Sequence, residues 1–174
     1  MEGFMRKVKL FIASSLDGFI AGEDGSIDWL FDDADYGYAQ FYDSIDAVLV
    51  GRKTYEQAAG FGEYPFRGKQ VYVFTRSPGK KDGNVEFVAD AAGFTQKMVG
   101  KQGGDAWLVG GAEIITSLLN AGLVDEIILS IHPVILGKGI PLFKDIEGRH
   151  GLKLVDSKAY PSGLAQLRYK VVHA

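Results

Sequence analysis

Apolar residues recur along the chain in short runs, unbroken at 47–50, 71–74 and 106–109 and interrupted by Lys9 in 8–13, by Glu86 in 85–88 and by Ser130 and His132 in 127–136. Runs of this length with so few polar breaks suit strands covered on both faces. Residues 152–155 and 166–171 instead partly alternate, and Pro161-Ser162-Gly163 lies between them. That arrangement predicts an antiparallel hairpin at the C-terminal end. Helical periodicity falls between the early runs. Tyr38, Phe41, Tyr42 and Ile45 are spaced i, i+3, i+4, i+7, with Asp32, Asp33 or Asp35 as N-cap. A short helix is expected over 54–59, stopping at Gly60, and a third carries Phe94 and Met98 on one face. A fourth carries Ile114, Ile115, Leu118 and Leu119 and ends at Gly122, a good residue just past a helix end. Lys80-Lys81-Asp82-Gly83-Asn84 reads as a solvated loop. Strands alternating with helices and closed by a hairpin predict an α/β fold whose sheet is mostly parallel with antiparallel edge strands.

Composition narrows this picture. The 174 residues fit one domain spanning 1–174. There is no cysteine, which excludes disulfides, zinc–thiolate sites, iron–sulfur clusters and a thiol nucleophile. A net charge of −3 gives no reason to expect nucleic acid or an anionic membrane as partner. No apolar run approaches the roughly 18–20 residues of a membrane span, and the first residues show no signal-peptide core. The expected setting is cytoplasmic, with Met5 an alternative start. Glycine is in excess, at 23 residues, roughly twice the usual share.

Several familiar patterns fail. No G-x-G-x-x-G follows a strand, and the segment from Gly62 to Gln70 has the wrong spacing for a P-loop. The run Asp32-Asp33-Ala34-Asp35 lacks the later ligands of a calcium loop. His132, His150 and His173 have no metal-binding spacing, and no metal is expected. Three strand ends survive as candidates. Val50-Gly51-Arg52-Lys53-Thr54 turns a strand into a helix with two cations beside the free amides. Phe74-Thr75-Arg76-Ser77-Pro78 ends a strand in two hydroxyls and a guanidinium, a group suited to a 2′-phosphate. Leu108-Val109-Gly110-Gly111-Ala112-Glu113 carries two adjacent glycines into a helix start, where backbone can approach a pyrophosphate closely. Each alone is an ordinary turn. Together, at the carboxyl ends of strands in an open α/β sheet, they point to one phosphorylated nucleotide.

The chain resembles the dihydrofolate reductase superfamily, and more closely the reductase domain of the bifunctional riboflavin-biosynthesis deaminase-reductase. The resemblance rests on Ser15-Leu16-Asp17-Gly18-Phe19-Ile20-Ala21, Gly51-Arg52-Lys53-Thr54-Tyr55-Glu56, Val109-Gly110-Gly111 and Pro133-Val134-Ile135-Leu136-Gly137-Lys138-Gly139, in family order. It implies a three-layer fold around an eight-stranded, mostly parallel mixed sheet that binds NADPH. By position, Ala13 and Ile20 flank the nicotinamide, and Leu16, Asp17 and Gly18 begin the loop that closes over it. Gly51, Arg52, Lys53 and Thr54 hold the phosphates. Thr75, Arg76 and Ser77 hold the adenosine side, with Arg76 selecting NADP. Val109 leads into Gly110–Gly111, the family's cis peptide, and Ala112, Glu113 and Ile114 open the pyrophosphate-binding helix.

On the substrate side, Asp35 falls near the family's catalytic carboxylate, with a helix N-cap as its alternative. Ser130 matches the hydroxyl behind the substrate ring, or is a small residue in a buried strand. Trp29 lines the pocket or belongs to the core. The arginine that clamps a folate tail has no clear counterpart, with Arg67 or Lys69 as stand-ins. The implied function is an NADPH-dependent reductase of a heterocyclic small molecule, of the 5-amino-6-(5-phosphoribosylamino)uracil reductase type. Dihydrofolate reduction is the alternative. Missing zinc-ligand cysteines mean that the deaminase half is absent. Riboflavin-type relatives are homodimers, and the run 127–136 is the candidate for pairing across a two-fold axis. A nucleotide-binding module without turnover and a purely oligomeric protein are the rival classes.

Overall fold

The computed structural model describes residues 5–79 and 81–174. Met1–Phe4 and Lys80 lie outside the described residues; Met5, the alternative start, is the first residue described. The parallel strands are β1 (Val8–Ser15), β3 (Ile45–Gly51), β4 (Gln70–Phe74), β6 (Val85–Val88), β7 (Asp105–Gly110) and β8 (Glu126–His132). A short β2 (Phe19–Ala21) follows β1, β5 (Lys81–Asp82) precedes β6, and β9 (Ile140–Pro141) follows β8. The chain closes with β10 (Gly151–Ala159) and β11 (Ala165–Val172). The helices are α1 (Tyr38–Asp43), α2 (Arg52–Ala59), α3 (Ala91–Val99) and α4 (Ala112–Asn120).

The main sheet runs β10-β11-β8-β1-β7-β3-β4-β6-β5, and β2 and β9 form a separate two-stranded ribbon. Without the two-residue β5, this is the implied eight-stranded mixed sheet. β10–β11 is the expected hairpin, and β11 pairs antiparallel with β8. The apolar runs are explained by cover on both faces. Leu10, Leu49 and Leu108 meet Met98, Ile115 and Leu118 of α3 and α4 on one side. Val48, Val50, Val71, Val73 and Trp107 meet Phe41 of α1 and Tyr55 of α2 on the other. Alternate residues of one strand thus feed two cores, which is what period-2 geometry demands. α4 ends as expected. Gly122 has φ 69°, its N–H bonds Leu119 O, and Leu123 N–H bonds Leu118 O, the paired bonds that close a helix through a left-handed residue. No helix among the described residues is long and apolar enough to cross a membrane.

Five sequence expectations need correction. α1 stops at Asp43, because Ser44 N–H and Oγ–H both turn back to Phe41 O, and Ile45 belongs to β3. Its N-cap is Gly37 with no side-chain cap, so Asp32 and Asp33 do not cap it. Residues 127–136 are not one strand: β8 ends at His132, before Pro133, and lies between β1 and β11, so it cannot pair across a two-fold axis. Within the loop read at 80–84, Lys81–Asp82 form β5 against β6. α2 also starts two residues earlier than expected, at Arg52.

Candidate active site

The parallel strands deliver their carboxyl ends to one edge of the sheet, and the three candidate turns meet there. β3 ends at Gly51, which is the N-cap of α2; β7 ends at Gly110, and Gly111 is the N-cap of α4. Neither helix has a side-chain cap, so the first amides of both, at Arg52, Lys53 and Thr54 and at Ala112, Glu113 and Ile114, are available to an anion. The two glycine turns touch. A Cβ on Gly51 would stand 3.4 Å from Gly111 N and 3.5 Å from Gly110 O, and one on Gly111 would stand 3.2 Å from Thr54 Oγ1. Side chains there would fill the cradle, so the donors present fit a pyrophosphate. The Gly110–Gly111 peptide is cis. Val109 precedes it, half-buried against the α1–α2 core. Arg52 pairs with Glu56 at 2.9 Å on the surface, while Lys53 has no ion-pair partner among the described residues.

Beyond β4 the chain turns through Thr75, Arg76 and Ser77. Thr75 N–H bonds Val88 O, and Thr75 Oγ1 accepts from Ser77 N–H at 3.2 Å. Arg76 is exposed with no ion pair among the described residues, so its guanidinium is free for a phosphate.

Ala13 lies near the end of β1, and Ile20 sits in β2, packed on the edge of the core. The loop between them turns at Gly18, whose φ of 87° favours glycine. Asp17 does not face outward from this loop. Its carboxylate accepts from Ser15 Oγ at 2.6 Å, Leu136 N at 3.1 Å and Gly137 N at 2.8 Å. The Ser15 hydroxyl, helped by these amides, holds the Asp17 carboxyl below its usual range. Asp17 therefore ties the nicotinamide-side loop to residues 133–139.

Beside Ala13 opens a cavity of about 310 Å³, with Phe11, Phe31, Tyr38 and Leu164 as apolar walls and Asp35, Ser130 and His132 as polar points. Ser130 is buried, and its Oγ accepts from Gln166 Nε2 at 3.1 Å. Asp35 is exposed on the lip, and its carboxylate accepts from Ala39 N–H at 3.1 Å in the first turn of α1. Asp35 thus lines the cavity and supports the first turn of α1, but the N-cap expected of it is Gly37 instead, as for Asp32 and Asp33. Trp29 lies edge-on to His132 with ring centroids 5.3 Å apart, and its buried Nε1 has no hydrogen-bond partner. Trp29 is not among the residues that line the cavity; it packs against His132, which is. Lys69 does not reach the site: its Nζ donates to Ile45 O at 2.6 Å and sits over the Tyr42 ring. Arg67 is a surface residue near Glu63. Among the described residues no cluster of acidic or histidine side chains is placed to hold a metal ion.

Sequence reasoning missed His132, weighing it only as a metal ligand. The available signal was its place two residues after Ser130, which puts both on one face of β8.

The Bacillus subtilis protein YwjB, itself uncharacterized, is 41% identical over 170 residues, spanning 94% of this chain and 97% of its own. A Shewanella sp. PV-4 structure named for riboflavin biosynthesis superposes with TM-score 0.81 at 25% identity, covering 96% of this chain and 99% of that one. A dihydrofolate reductase from Enterococcus faecalis, complexed with NADP(H), superposes with TM-score 0.72 at 19% identity, covering 97% and 98%; it shows the shared fold. A family model described as the RibD C-terminal domain matches residues 6–78 and 66–166. From β1 to the start of β11, then, the match covers most of the chain, and this chain belongs to the RibD C-terminal domain family.

Proposed function

We propose that this chain is an NADPH-dependent reductase acting on a flat heterocyclic substrate of the 5-amino-6-(5-phosphoribosylamino)uracil type. The family supports the coarser part, a riboflavin-pathway reductase-like domain. The observation that carries the finer part is the touching pair of uncapped helix starts, beside a cavity that shares Ala13 with the proposed nicotinamide site. When bound, NADPH supplies a hydride. The residues do the rest. The amides of α2 and α4 hold the pyrophosphate, Arg76 meets the 2′-phosphate, and Ala13 and Ile20 place the nicotinamide against the cavity. Phe11, Phe31 and Tyr38 exclude water from a flat ring, and Asp35 on the lip manages the proton. A pyrimidine is favoured over folate because Lys69 is committed to Ile45 O and Arg67 lies at the surface, leaving no tail clamp.

Substitution Arg76→Ala tests the cofactor assignment. One charge-assisted contact to a phosphate is worth about 1.5 kcal/mol in an exposed setting, so NADPH should bind roughly tenfold more weakly while NADH is unchanged. Titration calorimetry reads both. A mutant that keeps the full preference for NADPH removes Arg76 from the site, and a wild-type protein that binds neither nucleotide removes the reductase reading. NADPH binding without substrate-dependent oxidation would instead favour a binding module.

The homodimer is proposed on the face of β10, where Leu152, Leu154 and Val155 are 44%, 51% and 48% exposed on an edge strand. A monomer in sedimentation at micromolar concentration would overturn it.

A further inference from the structure

Leu30, Phe31, Ala34 and Asp35 line one side of the cavity, in a segment, 27–35, without a helix or strand of its own. Their local bonds, Leu30 N–H to Ile27 O and Ala39 N–H to Asp35, hold them only to themselves and to α1. Among the described residues, one main-chain hydrogen bond ties this segment to the sheet: Phe31 N–H donates to His132 Nε2 at 3.1 Å. His132 closes β8, is 3% exposed, and lies within 5.3 Å of the Trp29 ring and 5.0 Å of the Phe31 ring, centroid to centroid.

This geometry fixes the tautomer. Nε2 must accept, because a backbone N–H faces it. The proton of the neutral ring therefore sits on Nδ1, and Nδ1 lies 3.2 Å from Ser130 O, an acceptor. Only the neutral imidazole satisfies both ends.

We propose that His132 is the positioning residue of the substrate cavity, a latch whose neutral ring clamps the Leu30–Phe31 wall onto the end of β8. The proposal rests on the reductase reading for its effect on substrate, and on the hydrogen-bond geometry alone for the latch itself. Adding a proton at Nε2 sets N–H against N–H at Phe31, the tie is lost, and the wall is released. No carboxylate faces the charged ring; the backbone carbonyls of Ser130 and Ser14 favour it, but burial outweighs them. The neighbouring end of β1 offers Ser14 and Ser15, which are uncharged. Asp17 is committed to Ser15 and to the amides of Leu136 and Gly137. On the wall, Asp28 and Asp32 are exposed, and Asp35 and Tyr36 stand elsewhere around the cavity, Asp35 held by Ala39 N–H. The turn before β11 brings Leu164. Burial accordingly lowers the His132 pKa below its ordinary 6.5. The unfolded chain takes its proton first, near pH 6.5. Stability from this site is therefore full above that pH and declines as pH falls toward the folded value.

The experiment follows the Phe31 amide and the His132 ring nitrogens by NMR as pH is lowered on the whole protein. It also compares wild type with His132→Gln, whose amide oxygen accepts but does not titrate, and His132→Phe, which cannot accept. The Phe31 amide should shift in step with the His132 ring. In wild type, KM for the pyrimidine substrate should rise about three- to tenfold as the ring protonates, with kcat changed less. His132→Gln should flatten that profile, His132→Phe should show the raised KM at every pH, and NADPH affinity should stay unchanged in both. A Phe31 amide indifferent to the His132 titration overturns the latch, as does a His132→Gln profile identical to wild type. If no pyrimidine is turned over, the reductase reading fails and the Phe31 titration still decides the latch, even where His132→Phe does not fold.

Discussion

Asp35→Asn is expected to lower kcat about a hundredfold, the low end of what a positioned proton donor contributes. The low end is appropriate because Asp35 lies exposed on the cavity lip, where water can partly substitute. Asparagine is the informative replacement. Its Oδ1 still accepts from Ala39 N–H, so the support that Asp35 gives to the first turn of α1 survives. Such a hydrogen bond is worth about 0.5–1.5 kcal/mol, and Asp35→Ala should lose it together with the proton role. Steady-state kinetics beside thermal melts separate the two. A hundredfold loss in kcat with an unchanged melt assigns Asp35 to the proton. Unchanged kcat in Asp35→Asn, with a lowered melt only in Asp35→Ala, leaves it as a helix support and passes the proton to water. NADPH affinity should not move in either variant.

The strands were legible because burial on two faces leaves a plain mark. Val48 and Leu49 are adjacent, point into different cores, and are both apolar. Turn chemistry was equally readable where one residue type is required, as at Gly122 and Gly163, with φ of 69° and 94°. What stayed hidden depends on contacts distant in sequence. β2 and β9 are three and two residues long, too short for periodicity, and exist because they pair with each other across more than a hundred residues. Asp17 looked like part of a cofactor loop; that its carboxylate serves the amides of Leu136 and Gly137 follows only from how the chain returns after β8. The two glycine turns were readable separately. Their contact, a Gly51 Cβ position 3.4 Å from Gly111 N, is a product of β3 and β7 being neighbours. His132 was overlooked because its partner is a main-chain N–H, and a backbone donor has no signature in sequence.

Gly139→Ala is expected to destabilise the protein by about 3 kcal/mol and to weaken NADPH at least tenfold. A Cβ on Gly139 would stand 2.2 Å from Ala21 O and 3.2 Å from Phe19 Cβ and Cγ. The first of these is a backbone atom, so no rotamer change relieves the clash. Overpacking of this kind costs about 1–3 kcal/mol or more. Relief requires β9 to leave β2, since Phe19 pairs with Pro141 and Ala21 with Ile140. That ribbon holds Ile20 beside the proposed nicotinamide site, and the same movement pulls on Leu142 N–H, which is bonded to Gly18 O at 2.9 Å. Stability and cofactor binding should therefore fall together. At this chain length a loss of that size lowers Tm by roughly 6–12 °C. Gly137→Ala is the control. Gly137 has φ 75° with open space around its Cβ position, so only the left-handed backbone penalty applies, about 1–2 kcal/mol. Its N–H still reaches Asp17, and NADPH affinity should be retained. Calorimetric melts and NADPH titrations of the two variants read the difference. If Gly139→Ala melts and binds like Gly137→Ala, the ribbon tolerates a side chain at its closest approach, and Ile20 is not what places the nicotinamide.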